Sequence, residues 1–116
     1  MDERLSKALE FANYSVTINN QKKLLKEKFH EDMIFFIQGS QFTINRELLN
    51  FVNLLVERGN TEDTVLIDDN GIPVLIKDLE DFLVNIFDQY FQSANEYHEK
   101  YVELSKKRSV EKLVNE

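Results

Sequence analysis

The sequence predicts a helix-dominated α+β fold: two long antiparallel helices forming a stalk, with a head of two β-hairpins and one short buried helix. Three observations predict it. Apolar residues recur at helical spacing through both ends of the chain. An Asn-Gly pair lies between two β-branched runs. Only three Gly and one Pro are present, which leaves little room for linkers. The 116 residues suit a single domain, 1–116, and the 42% apolar content, with nine Phe and four Tyr, supplies a core.

The first long helix is expected over residues 2–29. Leu5, Leu9, Ala12 and Val16 advance by steps that keep one face, and Asn20 and Leu24 continue the row. Asp2 and Glu3 at its start, with Lys22, Lys23, Lys26 and Lys28 near its end, complement the helix dipole. The β-branched and amide-rich stretch from Val16 to Asn20 is its weak point, where a kink is expected if anywhere. Residues 33–44 read as a hairpin: Met33 to Ile37 and Phe42 to Ile44 flank a Gly-Ser turn. The competing reading continues the first helix to Ile37 and stops it at Gly39.

Asn45 should cap a helix over 46–58, with Glu47 in its first turn and Arg58-Gly59 at its end. Leu48, Leu49, Phe51, Val52, Leu54, Leu55 and Val56 make this helix apolar on most of its circumference, so it should be buried. The second hairpin, 64–77, is the sharpest local signal. Asn70-Gly71 supplies the two positive-φ positions of a type I′ turn, and Pro73 must sit where no ladder N–H is needed.

Asp78 should cap the last helix, expected over 79–107 with a frayed C-terminus. Leu79, Leu83, Ile86, Tyr90, Ala94, Tyr97, Tyr101 and Leu104 form one stripe. Phe82, Phe87, Phe91, His98 and Val102 form a second. As one rod this helix spans about 43 Å, and the first helix about 40 Å. A compact domain of this length is only about 35 Å across, so the helices should pair as a stalk. The first helix can cover only one stripe of the last. The other needs the head or another subunit, which leads to an expected homo-oligomer and protein partner. Asn20, in the apolar row, either fixes register as a buried Asn does in coiled coils or faces water.

The functions this composition disfavours are as informative. Fourteen basic against twenty-one acidic residues, a formal charge of −7, oppose nonspecific nucleic-acid binding. Without cysteine there is no disulfide, thiolate metal site or cysteine nucleophile. The charged N-terminus and the lack of a long apolar run point to a cytoplasmic protein with no membrane span, of a cell or of a virus-infected host. Asp68-Asp69-Asn70-Gly71 resembles a calcium loop only superficially, because Leu66 and Lys77 would occupy ligand positions. His30 and His98 lack metal-ligand spacing. The serines lie in no nucleophile-elbow context, and no Gly-rich loop could cradle phosphate. No enzyme activity, cofactor or metal is therefore expected.

Two surfaces remain. Phe87, Tyr90, Phe91, Tyr97 and Tyr101 are the expected partner-binding residues, acting together with the head hairpin. The alternative is an acidic regulator that binds nucleic acid, or a protein that handles it. For direct binding, Lys100, Lys106, Lys107 and Arg108 would lie beside the helix aromatics. The simpler account of those cations is that they complement the helix C-terminus.

Three stretches carry a resemblance: Phe42-Thr43-Ile44-Asn45 running into the Leu48-Leu49 helix, Val65 through Val74, and Asn95-Glu96-Tyr97-His98. They resemble small proteins of large contractile-tailed phages, particularly those of marine cyanobacteria. The resemblance implies a viral origin and brings no activity to any residue.

Overall fold

The computed structural model describes residues 2–106. Its elements are α1 (Glu3–Asp32), β1 (Ile34–Ile37), β2 (Ser40–Thr43), α2 (Arg46–Glu57), β3 (Glu62–Ile67), β4 (Pro73–Asp78) and α3 (Leu79–Lys106). The fold is helix-dominated, with two separate two-stranded antiparallel sheets, β1-β2 and β3-β4. Lys107, Arg108 and the expected end of the last helix lie outside the described residues.

The chain divides into two compact units: residues 1–29 with 95–116, and residues 30–94. In the first, α1 and α3 run antiparallel. Phe29 meets Tyr97 and Lys28 meets Glu96, whereas Lys22, further back on α1, lies over Tyr101, further along α3. Among the described residues, Ile18 and Leu104 are the buried ones of this pair. The expected packing row of α1 is therefore corrected. Leu5, Leu9, Val16 and Leu24 are exposed, and the half-buried line is Tyr14, Gln21, Lys22, Leu25 and Phe29 around Ile18. Asn20 is exposed and fixes no register inside this pair. α1 is also helical without interruption through Val16–Asn20 and ends three residues later than expected, at Asp32.

The second unit holds both hairpins, α2 and the first turns of α3. Asn45 caps α2 as its sequence requires, its Oδ1 accepting the Leu48 N–H at 2.8 Å. At the other end Gly59, at φ 89°, lets its own N–H reach the Val56 C=O and the Asn60 N–H reach the Leu55 C=O. That is the paired C-terminal closure for which a left-handed glycine is suited. α2 buries one face, through Leu49 and Val52, and leaves Phe51 and Leu54 half exposed. Burial all round, as its composition suggests, is not what packing selects.

Neither turn closes as its sequence suggests: the first is centred on Gln38-Gly39 and not on Gly-Ser, and Asn70-Gly71 does not form a type I′ turn. Ile37 pairs with Ser40, so Gln38-Gly39 is a two-residue turn with both residues at positive φ, 52° and 78°. This is the backbone that a type I′ hairpin needs. At Asn70-Gly71 only Gly71 has positive φ. There the Gly71 N–H donates to the Asp68 C=O and the Asp68 N–H donates to the Ile72 C=O, closing a three-residue loop with glycine at its bulge. Asp68 enforces it: one carboxylate oxygen accepts the N–H groups of Asn70 at 2.9 Å and Ile72 at 2.8 Å. Such side-chain capture is what makes Asp a turn former.

The core of this unit is centred on Phe82, which meets Phe35 and Phe42 edge-on at 5.6 and 5.4 Å. Val52, Ile76, Leu79 and Ile86 complete it, all fully buried. Phe82 thus belongs to the buried line of α3 and not to its second stripe. Two long-range polar clamps hold the hairpins. Asp69, at the tip of the β3-β4 loop, donates its N–H to the Gln41 C=O and accepts from the Thr43 N–H, the Thr43 hydroxyl and the Gln41 amide. Gln89 of α3 donates its amide to the C=O groups of Asp32 and Ile34, at 2.6 and 3.0 Å. It therefore satisfies carbonyls where α1 gives way to β1.

Candidate functional site: the uncovered face of α3

α3 starts where β4 ends. Asp78 closes β4 and also accepts the Asp81 N–H at 3.0 Å, so strand end and helix cap are one residue. Within the second unit its inner line is Leu79, Phe82 and Ile86, advancing by three and four residues into the core. Val84, Phe87 and Phe91 advance by the same steps along a different face. Val84 is 55% and Phe91 54% exposed, and Phe87 is half-buried.

The rings on this face are ordered by one another. Phe87 and Phe91 stack with centroids 5.9 Å apart and planes 19° apart, and Tyr90 meets Phe91 nearly perpendicularly at 5.4 Å. Pairs in this distance range attract beyond their area burial, so the rings favour packing against one another on this face. Glu80 precedes Val84 by one turn and Asp88 follows it by one turn, so the charges bordering the face are acidic. Chemically, the face offers apolar area bordered by carboxylates.

The five aromatics expected to form one surface are divided. Phe87, Tyr90 and Phe91 lie in the second unit, whereas Tyr97 and Tyr101 belong to the helix pair. Tyr97 packs on Phe29 at 5.2 Å, and Tyr101 lies edge-on to Tyr97 with Lys22 over its ring. Those two rings serve α1–α3 packing.

The basic group is only partly described. Lys100 is held by Glu96 at 2.9 Å, and Glu96 also takes Lys28 at 3.4 Å. Lys100 first, then Lys28, hold the Glu96 carboxyl below the ordinary carboxylate range. Lys106 is exposed in the last described turn, where it complements the helix dipole.

Among the described residues no three His, Asp or Glu side chains gather as a potential metal site. No described helix is long and apolar enough to cross a membrane.

A second apolar surface, on the β3-β4 hairpin, was only loosely indicated by the sequence. Leu66, Val74 and Ile76 face the core, while Val65, Ile67 and Leu75 face outward and are exposed. The unbroken run Val65-Leu66-Ile67 is its signal. A strand with one wet face would alternate, whereas this one is apolar on both. No protein-family model, curated protein or solved structure matches the chain.

Proposed function

We propose that this protein is a non-catalytic interaction or assembly component that acts as a homo-oligomer through the Val84-Phe87-Phe91 face of α3. The observation that carries the reading is the exposure of Val84 and Phe91 beside a stacked Phe87. A contiguous apolar face of ordered aromatics, bordered by charge, is the composition of an association surface. Leu5, Leu9, Phe11, Val16 and Leu24 add exposed apolar area along α1. That is more than scattered surface leucines require. The resemblance to small proteins of contractile-tailed phages extends the proposal to a phage-encoded protein working in the host cytoplasm, as an accessory to a larger machine. Sedimentation equilibrium tests the self-association: the reading expects a mass that is a multiple of the chain mass. A monomer at millimolar concentration would remove it.

A further inference from the structure

The β3-β4 hairpin has an edge that the rest of its unit leaves open. In an antiparallel ladder, alternate residues turn their N–H and C=O toward the partner strand and away from it. The Asp68 N–H bonded to the Ile72 C=O sets the phase: Leu66 and Thr64 face β4, and Val65 and Ile67 turn their backbone groups outward. The other edges in this unit are interrupted: Phe36 of β1 and Leu75 of β4 also turn their backbone groups outward, but each stands next to a position that is already occupied or cannot donate. The outward Thr43 N–H and Gln41 C=O of β2 are taken by Asp69, and the outward Ile34 C=O of β1 is taken by Gln89. β4 begins with Pro73, which has no N–H to offer. On β3, among the described residues, no hydrogen bond reaches the outward backbone groups of Val65 or Ile67. The same residues present exposed apolar side chains beside Leu75, which pairs with Val65. An open edge with apolar side chains is the template for adding a strand, and proteins without that use normally charge or cover it.

Charge selects the occupant. Along this edge Glu62 and Asp63 stand exposed at one end and Asp69 at the other, while Asp68 is buried in its own loop, and Lys77 is the one cation in residues 62–78. Antiparallel pairing of this edge with a second copy would bring the exposed Glu62 and Asp63 of one chain toward Asp69 of the other. Like charges across a strand pair are destabilising. We infer that the outer edge of β3 docks an extended segment of another protein, with alternating apolar residues at its centre and Lys or Arg at its ends. The inference rests on the interaction reading above but not on self-association through α3, which uses different residues and is read by mass alone.

The probe is a capped nonapeptide, Lys-Arg-Val-Thr-Val-Thr-Val-Arg-Lys, titrated into the isotope-labelled full chain and followed by amide NMR. A second peptide carries Glu at every Lys and Arg position. The expected result is slowed hydrogen exchange of the Val65 and Ile67 amides with the basic peptide, and binding at least about tenfold weaker with the acidic one. Val65→Pro removes an outward N–H and no β3-β4 ladder bond. It should weaken the basic peptide about tenfold, the loss of about one hydrogen bond. Protection of the Leu66 amide in that variant shows that the hairpin still stands. Glu62→Lys, which leaves the backbone untouched, should weaken the basic peptide as well. Equal binding of the two peptides, protection mapping away from Val65 and Ile67, undiminished binding by Val65→Pro, or no binding at millimolar peptide would each overturn the inference. Protection of those amides that grows with protein concentration alone would overturn it in favour of a second copy.

Discussion

Phe91→Lys is the substitution that separates an association surface from a core. Phe91 is 54% exposed in the single chain, so about half of its burial is still available to a partner. Complete burial of a Phe side chain is worth about 1.5–3 kcal/mol, which leaves about 1 kcal/mol for each ring to gain on association. In a twofold pair both copies contribute, giving about 2 kcal/mol, or about 30-fold in the dissociation constant. A lysine forced toward the same surface can only add to that loss. The fold should suffer less. Contacts with Phe87 and Tyr90 are of the kind worth about 0.5–1.5 kcal/mol each, and the stem of the lysine retains part of the packing. Sedimentation equilibrium would give the dissociation constant, and urea unfolding of dilute protein would give the stability of the lone chain. Association weakened less than about twofold would show that Phe91 lies outside the contact. A loss of more than about 3 kcal/mol from the dilute chain would instead show Phe91 acting as a core residue.

Other predictions concern the clamps that shape the second unit. Asp69→Ala leaves the Thr43 N–H and hydroxyl without their acceptor and should cost about 2 kcal/mol in urea unfolding. Partial burial raises the Asp69 carboxyl, but hydrogen bonds from the Thr43 hydroxyl, the Thr43 N–H and the Gln41 amide outweigh it and hold the group below its ordinary value. A depressed folded-state value means that the carboxylate stabilises the fold above about pH 4, and that this contribution is lost as pH falls through the folded value. Asp69→Asn should therefore flatten the loss of stability on acidification from pH 5 to pH 2.5, and an unchanged slope would contradict the assignment. Gln89→Leu removes the donor shared by the Asp32 and Ile34 C=O groups and should cost about 1–3 kcal/mol. It should also speed hydrogen exchange in β1 before it affects β3. Equal acceleration in the two hairpins would mean that Gln89 acts only on global stability.

Where sequence and structure agree, the signals are local. Asn45, Gly59 and Asp78 act on neighbours within a few residues, so the boundaries of α2 and the start of α3 could be read from residue type alone. The period of α3 placed Leu79 and Ile86 in the core for the same reason. Where two local solutions compete, periodicity cannot choose. On α1 the row through Leu9, Val16 and Leu24 and the row around Ile18, Leu25 and Phe29 both have helical spacing. Packing takes the second row, where Phe29 meets Tyr97 at 5.2 Å with the rings tilted by 33°.

The turns fail for a related reason. Asn-Gly permits a type I′ turn, but the grip of Asp68 on two downstream N–H groups stabilises a longer loop. Gln38 is driven to positive φ by strand register, although its own preference opposes that at a cost of about 1 kcal/mol. The Asp69–Thr43 clamp spans 26 residues and no short-range pattern announces it. Of the proposed site, Phe87 and Phe91 were legible as a second stripe. The division of Tyr97 and Tyr101 from them depends on which row of α1 packs.

Site-resolved solvent accessibility in solution tests the α3 surface most directly. Relaxation of the Val84 methyl and Phe91 ring protons by a soluble paramagnetic probe, followed through a hundredfold dilution, reports whether a second molecule shields that face. Self-association through this face gives strong protection at high concentration that disappears on dilution, while Ile86, already buried within the chain, stays protected throughout. Val84 and Phe91 signals equally relaxed at every concentration would show a face that no copy of the chain ever covers.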